Sequence, residues 1–405
     1  MMKSKKNSMK IMHLSNIAGK LGGGVSQVVH ALLKNQNLMN TNTHLWFFGS
    51  AKISSEVAKE TQVDQKKINP LGKNIFRFPF FYNKMKKLKY NLIHQHGIFL
   101  PLSLFSIFKR KHTKVVISPH GYMEPEKLKV SQLKKNIVLW LYENNNLKNA
   151  DCLIACSKKE AQSLRDFGFN QPIALLPNGV NKDFIETRIN YKRVSAFREK
   201  YNILEDNKVL LFLSRIHPFK GLDLFLKSVN ENKQKFRINK WIFVVAGTNE
   251  NNHEEFLKEY VDKNNIDDIV RFIGPQYEQD KIDAFDSSNC FILPSKGENF
   301  GIAVIEALSR GVPVITTKTT PWQELNNNEC GWWIDRSKDS FNQIITNLMH
   351  SDKDFLRTMG EKGRSLVEKK YTWPEISKQS INIYKWVISN FDDDHKNGFI
   401  LYEDR

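Results

Sequence analysis

The chain has 405 residues, of which 40% are hydrophobic and 11% aromatic, and it carries a formal net charge of +18. The apolar content excludes an intrinsically disordered protein, and the length predicts two domains because one hydrophobic core seldom serves more than about 300 residues. The four cysteines lack the paired spacing of a zinc site and the density of a disulfide scaffold, so we expect buried or free thiols.

The hydrophobic segments of the chain are short. None of them approaches the roughly 20 residues that cross a bilayer, so no transmembrane helix is expected. The N-terminal segment is basic, but the apolar run that follows it at residues 11–14 is too brief for the core of a signal peptide. The sequence therefore predicts a cytoplasmic protein.

In the first half of the chain, apolar β-rich segments alternate with amphipathic helical patterns. This alternation is typical of a parallel sheet covered by helices on both faces, and it predicts a Rossmann-like domain over residues 1–183. Strands are expected at residues 10–15, 44–48, 92–94, 115–118, 151–156 and 173–176, and helices at 25–35, 133–147 and 158–167.

The same alternation restarts after a polar stretch near residues 181–196, which predicts a second Rossmann-like domain over 184–372. The predicted fold class is α/β, with two such domains facing across a cleft. Residues 373–405 comprise a helix expected to cross back to the first domain and an acidic tail, from Asp392, expected to be disordered because it has few apolar anchors. Strands of the second domain are expected at 209–214, 241–246, 270–273, 290–293 and 314–316.

Residues 65–123 contain no Asp or Glu but many lysines and arginines interleaved with aromatic and aliphatic residues. This pattern suits an anionic bilayer surface, such as the inner face of the plasma membrane. A solvated basic face over an aromatic core remains a second interpretation. Nucleic acid is disfavoured as a partner, because no basic recognition helix, RNA-binding sheet signature or zinc-finger spacing accompanies the charge.

In open α/β sheets, ligands bind beyond the carboxyl ends of the strands, so residues that follow predicted strands are the candidate site residues. Arg215 and Lys220 follow the strand at 209–214 and precede a helix. A guanidinium, an ammonium and a helix N-terminus together favour a diphosphate. A solvated pair of cations is the alternative.

Two carboxylates flank the next candidate loop. With Glu298 in the loop and Glu306 about two turns along the following helix, they would lie roughly 9–12 Å apart. That separation fits the ribose and the transferred sugar of a nucleotide sugar and is too large for a glycosidase pair acting on one bond. Ordinary helix carboxylates are the alternative. Backbone N–H groups that could point at the phosphates belong to Asn299, Phe300 and Gly301.

A glycine-rich turn at residues 19–25 includes Gly23 and Gly24 and opens a helix. A dehydrogenase would need an acidic residue after the second strand, where Phe47, Phe48 and Gly49 stand instead, so a nicotinamide cofactor is disfavoured.

Histidines lie at or just after the ends of two other predicted strands. His120 is expected to reach into the cleft, with a structural histidine as the alternative. His94 and His96 resemble a metal-ligand pair, but no carboxylate lies nearby in the sequence, so a metal site is not expected there.

These residues resemble the retaining glycosyltransferases of family 4, which have the GT-B fold. The resemblance covers residues 10–390 and rests on SPHGYMEP, ADCLIACS, LPNGV, SRIHPFKGLD and GENFGIAVIEALSRGVPVI. It implies an enzyme of the EC 2.4 class that transfers a hexosyl-type group from a nucleotide-sugar donor with retention of configuration. It also implies that no cofactor and no metal ion are needed, and no Asp-x-Asp motif follows a strand here.

The resemblance also implies roles for individual residues. Arg215 and Lys220 would bind the donor diphosphate, Glu306 the ribose and Glu298 the transferred sugar. His120 would hydrogen-bond the sugar near the reacting carbon. The backbone of Asn299, Phe300 and Gly301 would bind the donor, and Gly23 and Gly24 would approach the phosphates or the acceptor.

Residues 118–143 resemble members that build bacterial capsule, exopolysaccharide or lipopolysaccharide O-antigen chains on lipid-linked saccharide acceptors at the inner leaflet. The expected location is thus cytoplasmic and peripheral to the plasma membrane. Three alternatives remain, namely a GT-B-fold nucleotide-sugar epimerase, a phosphorylase and a non-catalytic basic binding protein.

Overall fold

The computed structural model describes residues 9–15, 23–48, 64–68, 89–99, 103–109, 113–129 and 131–403. The chain divides into two compact units. The first unit comprises Met1–Gly179 with Trp373–Arg405, and the second unit is Val180–Thr372. The boundary expected after residue 183 therefore falls inside the first helix of the second unit, Lys182–Glu186.

The first unit contains an eight-stranded sheet in the order β14-β7-β6-β5-β4-β1-β2-β3, parallel except at β14. Chain order reverses between β1 and β4, which is the switch point of a doubly wound sheet. The strands are β1 Lys10–Ser15, β2 Asn42–Phe48, β3 Asp64–Ile68, β4 Leu92–His96, β5 Lys114–Ser118, β6 Cys152–Ala155, β7 Ile173–Leu175 and β14 Ile400–Leu401.

Helices cover this sheet. They are α1 Gly23–Leu38, α2 Ser103–Lys109, α3 Pro125–Lys129, α4 Gln132–Val138, a π-helical turn Leu139–Glu143, α5 Asn144–Lys148, α6 Lys158–Asp166 and α17 Trp373–Ile388. The single helix expected at 133–147 is therefore interrupted by a π turn, a feature frequent at functional sites.

The C-terminal helix α17 belongs to the first unit and packs against α1, as the crossing-helix prediction required. The tail does not match its prediction of disorder. Ile400 and Leu401 pair antiparallel with β7, and the Tyr402 amide donates to the Ile173 carbonyl at 2.8 Å. Backbone hydrogen bonds to an exposed sheet edge anchor this segment despite its few apolar side chains.

The second unit is a six-stranded, fully parallel sheet in the order β10-β9-β8-β11-β12-β13, with the switch point between β8 and β11. Its strands are β8 Lys208–Leu213, β9 Trp241–Ala246, β10 Val270–Gly274, β11 Cys290–Leu293, β12 Val314–Thr317 and β13 Gly331–Ile334. The central strands are buried on both faces, as expected for a sheet between two helical layers.

The helices of the second unit are α7 Lys182–Glu186, α8 Tyr191–Lys200, α9 Leu222–Glu231, α10 Lys233–Ile238, α11 His253–Lys263, α12 Glu278–Asp286, α13 Ile302–Ser309, α14 Glu324–Asn327, α15 Lys338–His350 and α16 Lys353–Lys370. Both units confirm the predicted α/β class. The four cysteines are free and buried, as expected, and burial raises the pKa of the Cys330 thiol to about 11.

Candidate functional site

The site of the second unit lies where the loops after β8 and β11 meet, at the switch point. The loop after β8 contains a 3₁₀ turn, Pro218–Lys220, which His217 caps by accepting from the Phe219 amide at 3.1 Å. Gly221 follows with φ 76°, and a Cβ there would lie 2.1 Å from the Pro294 carbonyl oxygen. Only glycine permits this approach, which brings the loop that carries Arg215 and Lys220 against the loop that carries Glu298.

Lys220 and Glu298 form an ion pair in this arrangement. Lys220 is only 9% exposed, and its Nζ donates to Glu298 Oε1 at 2.6 Å. The Ser295 hydroxyl donates to the same oxygen at 2.6 Å. Two predicted site residues that lie 78 positions apart in the sequence thus form one mostly buried, hydrogen-bonded pair. Ser295 is a partner that the sequence did not indicate.

Arg215 lies on the same loop but does not join this pair. Its Nη1 donates to both carboxylate oxygens of Glu250, at 2.9 and 2.7 Å, and its side chain is largely exposed. An exposed ion pair of this kind contributes little stability, so an anionic ligand could replace Glu250 at small cost.

Glu306 is the fifth residue of α13, so it lies just over one turn into the helix. The sequence had predicted a position about two turns along. The side chain is 7% exposed, and its oxygens lie 2.6 and 2.5 Å from Lys281 Nζ. Lys281 belongs to α12, which follows β10. Sequence reasoning missed Lys281 because nothing local links α12 to α13.

The loop before α13 is held by an aromatic contact. Trp322 Nε1 donates to the Phe300 carbonyl, and the two rings lie 5.1 Å apart. Gly301 adopts φ 85° and precedes the first residue of the helix. Asn299, Phe300 and Gly301 therefore lie at the helix N-terminus, as predicted, where backbone amides and the helix dipole favour an anion.

Another cationic side chain lies near the loop that carries Arg215 and Lys220. Arg336, which sequence reasoning also missed, brings its Nε to 3.5 Å from the position that a Cβ on Gly221 would occupy. This nitrogen is buried and has no hydrogen-bond partner among the residues that the structure describes. A buried guanidinium nitrogen without a partner is costly, which favours an acceptor such as a phosphate oxygen beside it.

In the first unit, Gly23 and Gly24 are the first two residues of α1, whereas the sequence predicted a loop there. Most of the glycine-rich turn precedes them and lies outside the described residues. The first turn of α1 has no acidic residue, so no carboxylate in that turn neutralises the positive end of the helix dipole.

His120 follows β5 in a turn closed by a hydrogen bond from the Tyr122 amide to the Pro119 carbonyl at 3.3 Å. His120 and Gly121 both have positive φ, at 55° and 76°, a conformation that is uncommon for a non-glycine residue and often found at functional sites. Burial and, to a lesser extent, the charge of Lys127 lower the pKa of His120 to about 4, so the ring is neutral at pH 7.

His94 and His96 do not stand alone, because His13 joins them. Ring nitrogens of the three side chains lie within 4.8 Å of one another, a spacing that a metal ion could bridge. All six nitrogens, however, already have hydrogen-bond partners. The expectation that no metal is used stays a prediction.

Two sheets, parallel except at β14, with the candidate site residues at or near the carboxyl ends of their strands, define a two-domain α/β protein of the GT-B class. Residues 22–184 match the family described as Glycosyltransferase Family 4, and residues 194–366 match Glycosyl transferases group 1. The chain belongs to these glycosyltransferases.

Several known proteins are similar to the chain. An uncharacterised 41.2 kDa protein in the cps region of Klebsiella pneumoniae is 25% identical over 391 residues, which cover 92% of this chain and 99% of that protein. An uncharacterised glycosyltransferase of Methanocaldococcus jannaschii is 23% identical over 222 residues, 54% of this chain and only 55% of the relative. HepE of Anabaena, crystallised in complex with UDP, has the same fold, with a TM-score of 0.75 at 16% identity over 93% of this chain and 100% of its own.

The described residues include no helix that combines the length and the apolar character needed to span a bilayer.

Proposed function

We propose that the protein transfers a hexosyl group from a nucleotide-sugar donor to a lipid-linked saccharide in the synthesis of a bacterial surface polysaccharide, such as lipopolysaccharide O-antigen, capsule or exopolysaccharide. Configuration would be retained, and neither a metal ion nor a cofactor would be needed. The observation that carries the proposal is the mostly buried Lys220–Glu298 pair at the switch point, beside the N-terminus of the helix that bears Glu306. The bound UDP of HepE and the cps-region relative support the donor and the pathway.

The chemistry assigned to the donor site is electrostatic. Lys220, Arg215 and Arg336 would take the negative charge that develops on the diphosphate as the glycosidic bond breaks. Glu306 would accept hydrogen bonds from the ribose hydroxyls, and Glu298 would hold the transferred sugar. We assign no carboxylate nucleophile.

A direct test is to measure the melting temperature of the full chain with a panel of nucleoside diphosphates and nucleotide sugars. A ligand that binds the native state raises this temperature according to its affinity. Release of the nucleoside diphosphate only when acceptor is added would distinguish a transferase from an epimerase, and a phosphorylase with pyridoxal phosphate would show its absorbance. A panel without any stabilising nucleotide would contradict the proposal.

Replacing Glu306 by glutamine is expected to weaken the binding of a nucleoside diphosphate about 10- to 100-fold, because a hydrogen bond to a charged group contributes about 1.5–3 kcal/mol. Calorimetry with the nucleoside diphosphate and with inorganic pyrophosphate, which has no ribose, would measure the effect. The variant should lose affinity for the nucleoside diphosphate and keep its affinity for pyrophosphate. Equal losses for both ligands would contradict a ribose contact.

The control for this variant is Glu231→Gln. Glu231 also forms an ion pair with a lysine, Lys338 at 2.8 Å, but it lies exposed in the last turn of α9, away from the helix N-terminus at the site. We expect its affinity for both ligands to equal that of the wild type.

Of residues 65–123, for which a membrane contact is expected, residues 69–88, 100–102 and 110–112 lie outside the described residues. An adjoining surface supports the contact. Helix α4 has no buried residue, and Leu133 and Trp140 are 75% and 83% exposed. Ile137 and Leu141 are also exposed. Lysines in this part of the chain are Lys127, Lys129, Lys134 and Lys135. An apolar stripe beside lysines suits an anionic leaflet, since each basic residue near it contributes about 1 kcal/mol.

The double variant Leu133→Glu/Leu141→Glu is expected to reduce sedimentation with anionic vesicles at least tenfold, because each leucine transferred from water contributes roughly 1.5–3 kcal/mol. The control is Leu204→Glu/Ile238→Glu, which places the same charges at exposed apolar positions of the second unit. Equal binding of the wild type to anionic and neutral vesicles, or no binding to either, would rule out the proposed membrane contact.

A further inference from the structure

A fully buried glutamine of α1 organises the polar interior of the first unit. Gln36 Nε2 donates to Ser380 Oγ at 2.8 Å, and Gln36 Oε1 lies 2.9 Å from His13 Nε2. Ser380 Oγ in turn donates its only hydrogen to the Ser377 carbonyl at 2.7 Å. The serine must therefore accept from Gln36, which fixes the orientation of the amide and leaves its oxygen facing His13.

A chain of three imidazoles begins at that oxygen. Because Gln36 Oε1 can only accept, His13 Nε2 carries a hydrogen, and the other nitrogen of the neutral ring, Nδ1, has a lone pair. His96 Nε2 lies 2.9 Å from this Nδ1 and therefore donates to it. His96 Nδ1 then accepts from His120 Nε2 at 3.1 Å.

The chain has one consequence for His120. With its hydrogen on Nε2, its Nδ1 has a free lone pair and can accept a hydrogen bond but cannot donate one. Among the hydrogen bonds between described residues, the ring makes only the one to His96. The ring also lines a pocket together with Glu160 and Asn178.

The three imidazoles of His13, His96 and His120 are uncharged in the pH range in which the protein would work. Burial lowers the pKa of His13 and of His120 to about 4, and it lowers the pKa of His96 well below its usual range. Neutral rings have one donor and one acceptor each, so the direction set at Gln36 is maintained through to His120. Gln36 also donates to Tyr384 at 3.3 Å, which helps to hold the amide in place.

We propose that Gln36 is a positioning residue that sets, through His13 and His96, the tautomer of His120, so that the ring offers an acceptor, Nδ1, to a sugar hydroxyl at the contact that the family resemblance implies. A neutral nitrogen with a lone pair selects a hydroxyl and disfavours a phosphate or carboxylate oxygen, which would need a donor. The sugar in this statement rests on the proposed function, whereas the tautomer does not.

Nitrogen NMR of the full chain labelled with ¹⁵N-histidine measures the tautomer directly. His120 is identified by the signals lost in His120→Asn. In the wild type at pH 7, His13, His96 and His120 should all carry the hydrogen on Nε2. A hydrogen on Nδ1 of His120 would overturn the proposal.

Two substitutions of Gln36 separate the relay from mere packing. Gln36→Met removes the acceptor for His13, so His120 should become a mixture of tautomers and kcat/KM should fall about tenfold. Gln36→Glu retains an oxygen that accepts from His13, so the tautomer should stay single and kcat/KM should stay within about threefold of the wild type. Should Gln36→Met not fold, His13→Phe interrupts the chain one step further on and should give the same mixture.

The matched control is Asn35→Met, since the Asn35 amide donates to the Ala31 carbonyl at 2.8 Å and lies outside the chain of imidazoles. It should change neither the spectrum nor the rate. An unchanged tautomer and an unchanged kcat/KM in Gln36→Met would overturn the proposal. A failure of the proposed function would look different, because nucleotide binding would be absent while the wild-type tautomer was as expected.

Discussion

Replacement of Lys220 by methionine is expected to lower the rate of glycosyl transfer by about 100- to 1000-fold, the range observed when one preorganised donor to a developing negative charge is removed. Methionine keeps the length and the apolar part of the side chain, so the loop after β8 should keep its shape. The Lys220 ammonium lies beside the carboxylate of Glu298 in a mostly buried site, where charge is poorly screened. The effect should fall on kcat more than on KM, because the leaving diphosphate gains charge in the transition state.

The control for this loss is Lys240→Met. Lys240 also pairs with a carboxylate, Asp206 at 2.5 Å, but both side chains are exposed, and Lys240 precedes β9 at the amino end of the sheet. Its rate should equal that of the wild type. Transfer within tenfold of the wild type in Lys220→Met would show that the diphosphate charge is balanced elsewhere, with Arg215 and Arg336 as the nearest candidates.

Strand periodicity predicted most of the two sheets, and the exceptions have physical causes. The residues of β3, with the sequence DQKKI, have no apolar alternation, so nothing in them indicates a strand. Trp332 and Trp333 of β13 form a pair without periodicity in a four-residue strand. The short β14 is a strand only because β7 offers an unpaired edge, which is a tertiary fact.

The donor site was predictable where topology places residues together. Lys220 and Glu298 each follow a strand beside the switch point, so the order of strands brings them together. The pairing of Lys281 with Glu306 and of Glu250 with Arg215 was not predictable. These contacts depend on how α12 and the loop after β9 are positioned in the folded domain. The role of Arg215 beside Lys220 in binding a diphosphate stays a prediction.

Strand register explains why His13 was missed as a neighbour of His94 and His96. His94 and His96 are two residues apart, so their side chains share one face of β4. Strands β1 and β4 pair with His13 opposite His94, which brings a third imidazole to the same face. Register between strands whose paired residues, His13 and His94, are 81 positions apart depends on the whole sheet. The sequence therefore showed two of these rings and could not show the third.

Replacement of Arg310 by methionine is expected to destabilise the second unit by about 3–5 kcal/mol, because it leaves the buried carboxylate of Asp286 without its partner. The guanidinium donates to both oxygens of Asp286, at 2.7 and 2.8 Å, and to the carbonyls of Phe184 and Thr187. The two charged side chains are 1% and 3% exposed. Arg310 directly follows α13, so its loss should also loosen the helix that carries Glu306.

Native-state hydrogen exchange of the amides in α13, followed with urea, measures this loss in the full chain. The matched control is Arg237→Met, because Arg237 donates to both oxygens of Asp268 with the same fork, at 2.7 and 2.9 Å, but on the surface. Its exchange should change little. The double variant Arg310→Met/Asp286→Leu should recover part of the stability, since it removes the stranded carboxylate. Equal effects at Arg310 and Arg237 would contradict a role for burial, and a double variant no better than the single would assign the loss to the two carbonyls instead.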